Sequence, residues 1–266
     1  MLGPCSQRSK QPLATTSTAS ASLASRSQPR RRGSSVRVCF AQMRPQQSSI
    51  RQRAMPHHDE GEANRMKVTA SNVVAWLQGV RIATLTATRG VPSLVEAIVG
   101  APVKGSWWGH ARGADIYNAA VALDASGEVL ATKLVEGKVT FVHAALWPAL
   151  YRVVTDPDAR RLPKLDAVAR QLLELVSTAS GPVRLDELVE VFERKTLSRA
   201  AKALEAGLWV HSAQVHTEKG RHETVLQTWD RWADAAVRKA ARRLGVDAAK
   251  TTLREALGSA KVNLAL

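Results

Sequence analysis

Apolar positions Leu165, Val168, Leu172 and Leu175 recur at i, i+3, i+7 and i+10, the period of one helix face, so 164–178 is read as a helix. A short strand signal, Pro182-Val183-Arg184, follows it. Next comes an apolar-periodic helix marked by Leu185, Leu188 and Phe192, and then a Thr-started helix over 196–206 closed by Gly207. A hairpin completes the set, with arms at 208–216 and 221–229 around the turn Thr217-Glu218-Lys219-Gly220. Helix, strand, helix, helix, hairpin is the element order of a winged helix, whose third helix and wing are the parts that meet nucleic acid when the fold binds it.

A similar but less complete pattern lies upstream. Val73, Val74, Leu77 and Val80 mark a helix beginning near Ser71. A second starts at Ser93, where Glu96 three residues on suggests a capping box, and ends at Gly100. After a Gly-punctuated loop carrying Trp107 and Trp108, Ile116, Ala120 and Leu123 predict a helix over 113–123. Two β-rich runs, 128–135 and 138–143, flank Glu136-Gly137, a pair suited to a tight hairpin. A helix over 144–154 can hold Pro148 only in its first turn, which places its start near Leu146. Downstream of the hairpin at 208–229, Trp232, Ala236 and Ala240 predict one helix over 229–244, and Val246, Ala249, Leu253 and Leu257 another.

The expected fold is therefore α+β and mostly helical, with tandem winged-helix units bearing small hairpin wings, a helical tail and a disordered leader. The divisions are 1–55 leader, 56–67 polar acidic linker, 68–155 N-terminal unit, 160–229 C-terminal winged helix and 230–266 tail.

Composition changes the picture mainly by isolating the leader. Residues 1–58 hold ten Lys or Arg and no Asp or Glu, among many Ser, Thr, Ala and Gln. An Arg-rich, Ser-rich, acid-free start without a continuous apolar run has the character of a transit peptide, and Val36-Arg37-Val38-Cys39-Phe40-Ala41 has that of its plastid-type end. Chloroplast import is expected, with the mitochondrion as the alternative; a basic disordered tail for acidic partners is the competing reading. The chain of 266 residues carries +15, so removing those ten cations leaves +5, and a basic pI of 10.6 says little about the folded part. Cys5 and Cys39 both fall in the leader, so no disulfide, thiol nucleophile or Cys-ligated zinc is expected beyond it. No apolar run approaches the ~20 residues of a membrane span, so no membrane partner is expected.

On the 196–206 helix, Lys195, Ser198, Arg199 and Lys202 fall off the apolar line of Leu197, Ala201 and Leu204, and the wing adds Lys219, Arg221 and His222. Those cations suit phosphates. Glu205 interrupts the face and Glu218 and Glu223 flank the wing, which leaves room for a plain solvated surface on a protein-contact module. A second basic stripe, Arg231, Arg238, Lys239, Arg242 and Arg243, runs along the tail helix. The histidines form no i, i+4 pair, no metal site is predicted, and neither a P-loop nor a dinucleotide glycine pattern calls for a cofactor. The remaining chemical candidates are Glu96 and His110, beside Trp107 and Trp108: a proton carrier next to aromatics able to stack on a base is the minimum equipment for chemistry on an extruded nucleotide. The bland reading makes Glu96 a capping carboxylate, His110 a helix-start residue and the indoles packing groups.

At Pro92-Ser93-Leu94-Val95-Glu96-Ala97-Ile98, Gly105-Ser106-Trp107-Trp108-Gly109-His110, 134–143 and Leu146-Trp147-Pro148-Ala149-Leu150, the chain resembles bacterial winged-helix proteins related to AlkZ-type DNA glycosylases, over about residues 70–230. The resemblance implies stacked winged helices and a DNA-repair setting. It also implies a Gln-x-Gln pair that positions water, yet Gln78 stands without a partner two residues away. The expectation is thus an organelle-targeted protein that binds nucleic acid, DNA before RNA. Base excision and a pure protein-interaction role are the alternatives, and sequence leaves the oligomeric state open.

Overall fold

The apolar stripes assemble into a mostly helical α+β protein whose described residues form two small three-stranded antiparallel sheets. The computed structural model describes residues 66–159, 165–216, 222–262, 264 and 266, all within one compact unit, 35–266. The expected leader and all but the end of the expected linker lie outside the described residues.

The first module runs α1 (Ala70–Val80), β1 (Ile82–Thr84), α2 (Leu94–Val99), α3 (Gly113–Ala125), β2 (Val129–Val135), β3 (Lys138–His143) and α4 (Trp147–Val154). Local signals set several of these ends. Thr69 caps α1 by accepting from the Asn72 N–H; Ser93 does the same for α2 from the Glu96 N–H, and Gly100 closes α2 with a left-handed φ of 84°. Glu136 and Gly137, at φ 49° and 70°, form the tight turn between β2 and β3. The strand order is β1-β3-β2, with Ile82 opposite Val142 and Leu130 opposite Val142 on its other side.

Strand β1 has no counterpart in the sequence reading. Three residues, all buried, are too few to display a period.

Alternation along the strands sends side chains to two cores. Ala83, Ala131 and Phe141 pack with Val73, Leu77, Ile98 and Ile116 of α1–α3. Ile82, Leu130 and Val142 pack instead with Leu150 and Val153 of α4. That second core is completed from the far end of the chain by α9 (Val246–Leu257), through Ala249, Leu253 and Leu257, and by Leu264. Val262 bridges to Val135 and the Glu136 N–H donates to the Lys261 carbonyl at 3.3 Å. Residues expected as a tail thus form a layer of the first module's sheet.

Between α4 and α9 the chain builds the second module: α5 (Ala167–Thr178), β4 (Val183–Arg184), α6 (Arg194–Ala206), β5 (His211–His216) and β6 (His222–Gln227). Its strand order, β4-β6-β5, repeats that of the first sheet. Leu172 and Val176 of α5 and Leu197, Ala200 and Leu204 of α6 close a third core with Val210 and Leu226.

Two helix expectations differ from the structure. Over 185–192 there is only a 3-10 turn, Leu185–Leu188; β-branched Val189 and Val191 follow it, in a stretch too short to sustain a helix. The single helix expected at 229–244 is two, α7 (Trp229–Trp232) and α8 (Ala235–Arg242). Asp234 divides them because its carboxylate accepts the Val237 N–H at 2.8 Å and so starts a new helix.

Candidate nucleic-acid interface

Glu193 begins α6 two residues before the expected start: its carboxylate accepts the N–H groups of Lys195 and Thr196 at 2.9 and 2.7 Å and the Thr196 hydroxyl at 2.6 Å. Those bonds hold the Glu193 carboxyl below the usual carboxylate range. With Leu197, Ala200, Ala201 and Leu204 committed to the core, the residues at the remaining angles face water. Arg194, Lys195, Ser198, Arg199 and Lys202 are all exposed. Arg194 is an addition to the expected set, legible once Glu193 is recognised as the cap.

Acidic neighbours touch this face less than their sequence positions suggest. Glu205 is 8% exposed and is paired with Lys133 of β2 in the first module, where both line a groove with Arg194 and Lys202. Glu223 lies 3.1 Å from the Arg184 guanidinium. Arg199 keeps a 3.5 Å approach to Asp166, but its side chain is 70% exposed, and a pair so wet is screened by salt. Beside α6 runs a groove lined also by Gln214 and Thr224 of the hairpin, by Lys133, and by the acidic Asp186 and Glu205. No aromatic side chain lines it among the described residues. Lys219 and Arg221, expected to arm the wing, and Glu218 lie outside the described residues.

The other proposed cationic stripe divides. Arg231 donates to the carbonyls of Val176, Ser177 and Ala179 and so ties the end of α5 to α7. Arg238 donates to the carbonyls of Asp230 and Ala233 at 2.6 and 2.9 Å. Both guanidinium groups serve the fold, while Lys239, Arg242 and Arg243 stay exposed.

In the first module the helix equivalent to α6 is α3, and its exposed positions are Ala114, Asn118, Val121 and Ala125. None is charged. The 3-10 turn Trp107–Gly109 stacks Trp107 on Trp108, centroids 4.0 Å apart, where an extended loop would have splayed them. Trp107 is 8% exposed and belongs to the α1–α3 core, and Trp108 also meets Tyr117 at 6.0 Å. Glu96 is half-buried on α2. His110 is held at the mouth of α3, where its Nδ1 accepts the Arg112 N–H at 3.1 Å.

Among the described residues, no three His, Cys, Asp or Glu side chains gather as metal ligands, and no helix is long and apolar enough to cross a membrane. No family model, no curated protein and no solved structure matches the chain.

Proposed function

We propose that the two modules are winged helices and that the second docks α6 on the phosphate backbone of DNA. The observation that carries this reading is the clustering of Arg194, Lys195, Arg199 and Lys202 on the exposed side of α6, while Glu205 on the same helix is buried and paired with Lys133. Two repeats of helix, strand, a short helix or 3-10 turn, helix and hairpin, each with the first strand beside the third, support the fold assignment. In the first module α3 carries Asp115 and Asp124 and neither Lys nor Arg, which makes that module a platform for the second. Binding is the proposed activity; for base excision of the AlkZ type, which the resemblance would imply, Gln78, exposed on α1, lacks a second glutamine two residues away. The acid-free leader supports delivery of this protein to a plastid.

The test is a titration of a short labelled DNA duplex with the 266-residue chain across a salt series. Affinity falls linearly on a log-log plot, and Arg199→Ala and Lys202→Ala each lower the slope by about one. Absence of binding at every salt concentration, or binding indifferent to salt, overturns the reading.

A further inference from the structure

We propose that Lys133 and Glu205 form a latch that fixes the direction in which α6 presents its cations, making Lys133 a positioning residue for the DNA site. This rests on the DNA-binding reading above. Glu205 occupies the last turn of α6 and is 8% exposed. A carboxylate there is disfavoured twice, by removal from water and by the negative end of the helix dipole. Its cation comes from outside the second module: Lys133 of β2, far away along the chain, closes the ion pair.

The modules are also joined at the exit of the hairpin. There the Tyr151 hydroxyl donates to Asp230, and Leu208 and Trp229, which bond to one another at 2.8 Å, are buried in the core formed by α4 and α9. The Tyr151–Asp230 bond lies outside α6. Rotation of α6 about its C-terminal end would strip the largely buried Glu205 of its partner, so the pair resists that rotation. Lys133 also borders the groove beside Lys202, so an experiment has to separate orienting α6 from touching phosphate.

Glu205→Gln separates them by sign. It frees Lys133 for phosphate if Lys133 is a contact, and it releases α6 if the pair is a latch. In the duplex titration with the 266-residue chain, the latch predicts that Glu205→Gln and Lys133→Met each weaken binding by about twofold to thirtyfold with an unchanged salt slope. It also predicts that the exchanged pair, Lys133→Glu with Glu205→Lys, recovers affinity. Tighter binding by Glu205→Gln, a slope lowered by about one in Lys133→Met, or wild-type affinity in both overturns the latch and leaves the DNA site standing. Where Lys133→Met fails to fold, Glu205→Gln, which keeps a neutral hydrogen-bonding side chain, carries the decision. A wild-type chain that binds no duplex fails earlier, at the site itself.

Discussion

His211 stands edge-on to Trp229, ring centroids 5.7 Å apart, and meets Trp232 at 5.8 Å, so its imidazole is walled by indoles where the second module returns to the first. Trp147 of α4 extends the wall by packing on Trp232 at 5.5 Å. His211 is 3% exposed; its Nδ1 lies 3.2 Å from the Gln227 amide nitrogen, and its Nε2 is buried without a hydrogen-bond partner among the described residues. A charged imidazole would have to leave water for this site, and burial accordingly pushes its pKa from 6.5 down to about 4.

The depressed value ties stability to pH with a definite sign. Above pH 6.5 the ring is neutral in both folded and unfolded chains; as pH falls from 6.5 toward 4 only the unfolded chain takes up the proton, and stability is lost. A shift of this size corresponds to a loss of about 3 kcal/mol. Urea unfolding at about pH 7.5 and about pH 4.5 is expected to show a larger drop for the wild type than for His211→Gln, because the remaining titratable groups are common to both. Equal drops would show that His211 is solvated in the folded chain.

Leu253 on α9 is fully buried against α4 residues of the first module's core. Leu253→Ala is therefore expected to cost about 2–5 kcal/mol, whereas Arg242→Ala, at an exposed position on α8, should stay within about 0.5 kcal/mol. Chemical denaturation of the two variants measures both. A cheap Leu253→Ala would mean that α9 is an appendage.

Trp107→Ala is expected to remove about 3–5 kcal/mol of stability, because the indole lies in the α1–α3 core. The half-buried Trp108 should cost less. If the pair has only this packing role, duplex affinity of the folded Trp108→Ala variant equals that of the wild type. A weaker affinity with an unchanged salt slope would instead identify Trp108 as a base-stacking platform.

What the sequence made legible follows from how local each determinant is. Apart from the stretch 185–192 and the first turn of α6, the helices of both modules, together with the Glu136-Gly137 turn, rest on periodicity and on residues within a few positions, and they are found where the pattern places them. The docking of α9 depends on the meeting of Leu253 with Leu150, across a hundred residues of chain, and neither residue's neighbours announce it. The same holds for Glu205, which reads as a surface charge until Lys133 is seen beside it, and for Arg231, which reads as part of a basic stripe until its carbonyl partners are seen. Charged residues are the hardest to place from pattern alone, since a guanidinium facing water and one capping a distant helix occupy similar positions in a helical repeat.

Glu193 provides the most direct test of how α6 meets a polyanion. Its carboxylate already occupies the N–H groups at the start of α6, the place where a helix otherwise receives a phosphate, and it lies beside Arg194 and Lys195. An approaching phosphate therefore meets a negative charge at the end of the cationic row. Glu193→Gln removes that charge while leaving an amide oxygen able to cap, so duplex affinity is expected to rise by about twofold to fivefold at low salt, with the gain shrinking as salt is added. The cost appears in pH behaviour. Glu193's carboxyl titrates below its ordinary value in the folded chain, so its contribution to stability is present above that ordinary value and is lost as pH falls through the lowered one; the glutamine variant lacks this dependence. Parallel titrations of both chains at two salt concentrations decide the matter: an affinity that falls in Glu193→Gln would mean that the capping carboxylate holds α6 in its binding form, and that the cations alone do not set how tightly DNA is held.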